Sequence, residues 1–198
     1  MAQVKVLVAG KHEKLDDKLV IGATVTLIKS DKNIIVDPGY FTDQEKMLEN
    51  LAKERLKPDD IDIVFLTHLH LDHLANVALF RNSHIYCKLY GGDYPGQYHI
   101  ANKGWVIRTD IKDGLNLAKD VEFLLTPGHV EDHVSLVVDT EDGKVVIAGD
   151  ALPNKEMVDI DKKPFLYSNL ENYNSSRKKI LKLAKFIVPG HGDIFKNS

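Results

Sequence analysis

Cysteine is nearly absent from this chain of 198 residues: Cys87 is the only one, so no intramolecular disulfide can form. No apolar run approaches the eighteen or so residues of a membrane span. Neither a G-x-S-x-G turn nor a G-x-x-x-x-G-K-[ST] loop occurs, which removes the usual support for a serine nucleophile or a P-loop nucleotide site. There is no basic excess either. Lys and Arg number 26 against 29 Asp and Glu, a net charge of −3 with His neutral. No global positive field is therefore available to hold nucleic acid. The opening MAQVKVLVAG lacks the basic region, long apolar core and cleavage site of a signal peptide. No low-complexity tract or linker splits the chain into two cores. These absences predict one domain over 1–198, cytoplasmic and with no membrane partner. Cys87, beside Ile85 and Tyr86, reads as a small buried hydrophobe and not as a nucleophile.

What the chain does have is histidine in dense motifs. Thr67–His73 reads THLHLDH and matches H-x-H-x-D-H. Alternate side chains of an extended stretch point the same way, so His68 and His70 can converge on one point. Asp72 and His73 follow where a helix is expected to begin near Leu74, and they can face a second point close by. Imidazole and carboxylate suit zinc and other divalent transition metals. Three more candidates sit in glycine-containing turns after apolar runs: His129 in TPGH, Asp150 in AGD and His191 in PGHG. Five of the nine histidines fall in these motifs. His12, His84 and His99 have no such context.

Short β-branched runs predict strands at Val4–Val8, Thr24–Ile28, Ile34–Val36, Ile63–Leu66, Ile85–Cys87, Trp105–Arg108, Val121–Leu125, Val134–Val138, Val145–Ala148 and Phe186–Val188. Thr42 and Glu45 form a capping-box pattern. It opens a helix with Met47, Leu48, Leu51, Ala52 and Leu56 on one face. A short helix is expected around Leu74–Phe80 and a longer one over Leu170–Lys185. Arg177, Lys178, Lys179, Lys182 and Lys185 read as the wet face of that last helix. Lys88–Gly104 is irregular, and Tyr90, Tyr94, Tyr98 and His99 within it are candidate substrate contacts. Strand clusters with helices before and after fit a layered α/β arrangement.

Taken in order, VDPG at Val36–Gly39, PDDID at Pro58–Asp62, THLHLDH, TPGH, AGD and PGHG resemble the motifs of the metallo-β-lactamase fold superfamily over nearly the whole chain. The later segments look most like its small prokaryotic metal-dependent hydrolases. The resemblance implies a four-layer αββα sandwich and a two-metal site. His68, His70 and His129 match its first metal position. Asp72, His73 and His191 match its second, and Asp150 matches the carboxylate that bridges them. Asp37 matches an aspartate that supports the site from behind. His133, though close to His129, is not a ligand in that pattern.

The implied chemistry is hydrolysis of an ester, thioester, lactone or phosphodiester by a hydroxide shared between two divalent ions about 3.5–4 Å apart. Asp72 and Asp150 would be its catalytic residues. Zinc is the first expectation, with iron or manganese as alternatives. A small molecule is the expected substrate and RNA the other partner class the resemblance admits. The rival reading is an iron-dependent sulfur dioxygenase on the same fold. The sequence sets neither the substrate nor the oligomeric state.

Overall fold

The β-branched runs become strands covered on both faces, which is why they read as unbroken apolar stretches. The computed structural model describes residues 1–88, 107–108 and 111–197. The first strands are β1 (Gln3–Val8), a hairpin β2 (Lys11–Leu15) and β3 (Lys18–Gly22), then β4 (Val25–Lys29) and β5 (Asn33–Val36). After helix α1 (Gln44–Lys53) come β6 (Ile63–Phe65), α2 (Leu71–Leu74), β7 (His84–Tyr86) and β8 (Ile107–Arg108). The second half holds β9 (Asn116–Ala118), β10 (Val121–Leu125), β11 (Val134–Thr140), β12 (Gly143–Gly149), α3 (Leu170–Leu183), β13 (Phe186–Pro189) and β14 (Phe195–Lys196). Among the described residues, two six-stranded sheets result, in the orders β1-β4-β5-β6-β7-β8 and β14-β13-β12-β11-β10-β9. The pairs β5–β6, β6–β7, β7–β8 and β12–β13 are parallel.

Side-chain alternation sorts the core into layers. Ile28, Ile34, Val36, Ile63 and Phe65 of one sheet meet Val121, Phe123, Val134, Leu136, Val145 and Ile147 of the other. Their intervening neighbours face outward. Leu27, Ile35 and Val64 pack with Met47 and Leu51 of α1. Val137, Val146 and Ile187 pack with Tyr173 and Ile180 of α3. Helix, sheet, sheet, helix is the αββα sandwich that the resemblance implies. Among the described residues, no helix is long and apolar enough to cross a membrane.

Several local expectations change. The capping box at Thr42 and Glu45 is not made: a 3₁₀ turn, Phe41–Asp43, precedes α1, and neither start has a side-chain cap. The helix expected from Leu74 begins earlier, at Leu71, with extended His70 before it, so Asp72 and His73 lie inside it. Only a 3₁₀ turn, Val77–Leu79, follows. Of the strand expected at Trp105–Arg108, Ile107–Arg108 is present and the rest lies outside the described residues.

Arg177 corrects the wet-face reading of α3. It is fully buried, on the same helical face as Tyr173 and Ile180. Its guanidinium donates to the carbonyls of Met157, Asp159 and Ile160 and to Asn174 Oδ1, at 2.6–3.0 Å. It also lies 5.2 Å from the Tyr173 ring. Lys178, Lys182 and Lys185 remain exposed as expected, while Lys179 pairs with Asp113 at 2.9 Å. Arg177→Met keeps the bulk but strands three carbonyls. It is expected to lower unfolding free energy by about 2–4 kcal/mol, read as a lower urea midpoint with unchanged slope. A midpoint equal to wild type would show that the loop 157–160 does not depend on this residue.

Candidate metal centre

Every ligand candidate sits just beyond a strand end on one side of the sandwich. Asp37 follows β5, the histidine loop follows β6, His129 follows β10, Asp150 follows β12 and His191 follows β13. Parallel pairing of β5 with β6 and of β12 with β13 brings these exits together. Two glycines shape the turns. Gly149 has φ +51, and a Cβ there would stand 2.8 Å from Thr67 Oγ1 and 2.9 Å from His133 Nε2. Gly128 has φ +131, and a Cβ would collide with the backbone of Tyr173, so the TPGH turn lies directly on the start of α3.

The structure brings all seven candidates together in two groups. His68, His70, His129 and Asp150 form one; Asp72, His73 and His191 form the other. Within each group the potential ligand atoms lie within 4.8 Å of one another. Asp150 touches both: its oxygens lie 3.4 Å from His129 Nε2, 3.5 Å from His73 Nε2 and 3.2 Å from His191 Nε2.

Hydrogen bonds behind the cluster fix which nitrogen faces inward. Asp37 accepts from Thr67 N–H, Thr67 O–H and His73 Nδ1, each at 2.8 Å. Its φ of 50° is costly for a residue other than glycine, and these bonds hold it there. With its proton committed to Asp37, Thr67 Oγ1 accepts from His68 Nδ1 at 3.0 Å. His129 Nδ1 donates to Leu166 O at 3.2 Å, and His191 Nδ1 to Gly22 O at 2.9 Å. Four imidazoles thus spend Nδ1 outward and turn Nε2 inward. His70 instead presents Nδ1, 3.1 Å from His129 Nε2.

These residues fit a cation. His68 Nε2, His73 Nε2 and Asp150 Oδ1 are buried without any hydrogen-bond partner, and such atoms are costly unless something else satisfies them. The electrostatics agree. Burial disfavours charge on His73, but Asp37 and Asp150 outweigh it and hold its pKa well above the usual imidazole range. Burial likewise opposes the Asp150 carboxylate, yet His73 and His191 hold its pKa well below the usual range. Burial drives His68 the other way, well below, with His73 adding to the effect. A divalent cation held here would compete with protons for these imidazole nitrogens.

His133 belongs to neither group. Its Nδ1 is 2.9 Å from Thr126 Oγ1, and burial pushes its pKa down to about 3. Cys87 is buried, with a thiol pKa pushed up to about 11, as expected of a packing residue. Tyr90, Tyr94, Tyr98 and His99 lie outside the described residues. One described residue without motif context does reach the site: His12, on β2, whose ring lies 5.5 Å from the His191 ring and tilted by 44° to it. A pocket of about 280 Å³ opens over the cluster, lined by His12, Ile21, Pro153, Met157, Phe165 and Leu166. A larger depression of about 410 Å³ near Met1 and Phe186 contains none of the cluster.

The family model of the Metallo-beta-lactamase superfamily matches residues 20–191, which contain every cluster residue. The chain belongs to this superfamily. It is 30% identical over 199 residues to metallo-beta-lactamase domain-containing protein 1 of Xenopus laevis, covering 98% of this chain and 81% of that one. It is 28% identical over 153 residues to an N-acyl homoserine lactonase of Bacillus thuringiensis, covering 73% and 60%. A Thermotoga maritima crystal structure, provisionally named a metallo-beta-lactamase, superposes with a TM-score of 0.79 at 26% identity, covering 98% and 99%. In this superfamily setting, the seven clustered residues of the chain are a His/Asp set of metal-binding type.

Proposed function

We propose that the protein is a two-metal hydrolase of small carbonyl esters, thioesters or lactones, with zinc as the first choice of metal. The observation that carries this reading is the pair of ligand groups sharing Asp150 at the floor of an open pocket. His68, His70 and His129 would hold one ion, Asp72, His73 and His191 the other, and Asp150 would lie between them. When bound, such ions lower the pKa of water towards neutrality and polarise a substrate oxygen. The chain's own residues supply the rest. Asp37 and Thr67 orient His73 and His68. Asp72, partly exposed and lining the pocket, can hold a proton at its carboxylate and pass it to the leaving group. Apolar side chains of Ile21, Met157, Phe165 and Leu166 line the pocket around the reacting centre.

The pocket supports the carbonyl branch over nucleic acid. The exposed lysines of α3 lie towards its far end. Asn169, at its start, bonds Gly128 O beside the cluster, whereas Lys182 is about 20 Å further along at 1.5 Å per residue. A lysine stripe so placed does not line the pocket. The similarity to a lactonase points the same way.

Protein purified without chelator is expected to hold about two divalent metal ions per chain. Screening esters, thioesters, lactones and phosphodiesters should find carbonyl hydrolysis that chelation abolishes and zinc restores. Metal near zero with activity intact would end this reading. Iron together with persulfide oxidation would move the chain to the oxygenase alternative.

A further inference from the structure

The walls of the pocket carry more information than its floor. Phe165 is 87% exposed and Leu166 52%, although both are large and apolar. Neither belongs to the buried core clusters. They stand instead at the mouth, where the Phe165 ring meets His12 at 6.3 Å. Ile21, Pro153, Met157 and Pro164 continue the apolar lining. Leu166 is also tied to the floor through its carbonyl on His129. An apolar surface left open beside the reacting centre is suited to hold an apolar chain of the substrate.

One cation interrupts that wall. Lys162 and Lys163 are adjacent, but their surroundings differ. Lys162 is paired with Glu156 at 2.9 Å. Lys163 makes no ion pair among the described residues, lines the pocket, and places its ammonium 5.5 Å from the centre of the Tyr167 ring. The carboxylates that share the pocket with it, Asp72 and Asp150, are both committed to the histidine cluster. Among the described residues, Lys163 is thus a cation in the pocket lining that no carboxylate pairs with.

We infer that the pocket selects an acyl ester, thioester or lactone that carries a carboxylate, which Lys163 holds while the apolar part lies against Phe165, Leu166 and Met157. This rests on the hydrolase reading of the same site, and the substrate's charge is the added claim. The reaction is hydrolysis alone: the acyl–oxygen or acyl–sulfur bond breaks, water supplies the new acid oxygen, and the leaving group takes the proton.

Two probes of similar length separate the claims: the mono-4-nitrophenyl ester of glutaric acid, which is anionic, and 4-nitrophenyl hexanoate, which is neutral. With zinc-loaded protein, the anionic ester is expected to show the lower KM. Lys163→Gln should raise the anionic-to-neutral KM ratio by about tenfold, in line with loss of one charge-assisted hydrogen bond. Lys163→Arg should restore most of it, and Lys162→Gln, a control on the same loop, should leave the ratio alone. Zinc content should stay the same in all three. Calorimetric titration with monomethyl glutarate gives a second readout that needs no turnover: wild type should bind it and Lys163→Gln should bind it at least tenfold more weakly. Equal ratios, or equal binding, in wild type and Lys163→Gln would overturn the inference, as would a wild type that does not bind monomethyl glutarate. Failure of zinc-loaded wild type to cleave any ester, with binding still dependent on Lys163, would instead sink the hydrolase reading and leave the anion site standing.

Discussion

Asp150→Asn is expected to reduce turnover by more than about 100-fold while leaving the protein folded. The lower bound follows from the 10–100-fold typical of partners one bond further from the metal, which a shared ligand should exceed. Asp150 is buried, and its two oxygens reach nitrogens of His73, His129 and His191. An amide keeps the shape but removes the charge and one acceptor. It would face several imidazole nitrogens with an NH₂ group that most of them cannot accept from once a metal is bound. Loss of activity with near-native circular dichroism and thermal midpoint is the expected pattern. Metal occupancy of the second ion should fall with it. Kinetics close to wild type at saturating metal would show that Asp150 does not lie between two ions.

Much of this site is legible in the sequence because its ligands are local. THLHLDH carries four of the seven on one short loop, and TPGH, AGD and PGHG each place one residue immediately after a glycine. Glycine is needed where Gly128 and Gly149 take positive φ against close neighbours, so the motif and the geometry express one constraint. The sandwich is legible for a related reason. Runs such as IDIVF and KVVIAG are apolar at both parities, which a strand can use only when covered on both faces.

What escaped the sequence depends on distant partners. The hairpin of β2 and β3 is almost wholly exposed, and KHEKL has no apolar alternation to announce a strand. Only its turn at Asp16, with φ 53°, carries a local signal. Nothing local therefore marks His12, whose ring lies 5.5 Å from that of His191 only because β2 folds beside the site. Phe165 and Leu166 were missed because they lie in irregular chain with no periodicity. Arg177 was misread from its charge. The spacing Tyr173, Arg177, Ile180 and Ala184 puts it on the buried stripe, and charge alone gave the wrong face. The early start of α2 has a simpler cause: His70 already holds an extended conformation, so the helix can begin as soon as the first pair of histidines is placed.

His129→Ala and His133→Ala should separate, although the two residues are four apart in one turn. His129 turns its Nε2 to within 3.1 Å of His70 Nδ1 and 3.4 Å of Asp150. Removing it leaves the first group with two histidines and a shared carboxylate. Metal content is expected to fall by about one ion per chain, with activity lost, because only two imidazoles then remain for that ion beside a carboxylate shared with the other. His133 is equally buried, and its ring centre is 5.2 Å from that of His68, but its Nδ1 faces Thr126 Oγ1 and it joins neither ligand group. Its removal leaves a cavity and takes one of two partners from the Thr126 hydroxyl, which keeps Ser135 Oγ at 2.8 Å. The expected cost is about 1–3 kcal/mol of stability, with metal content kept. Elemental analysis and urea denaturation on both variants read the two effects independently. If His133→Ala lost the metal and His129→Ala kept it, the assignment of the first ligand group would be wrong, and the Nε2 of His133, buried without a partner beside Gly149, would be the nitrogen to place on the ion instead.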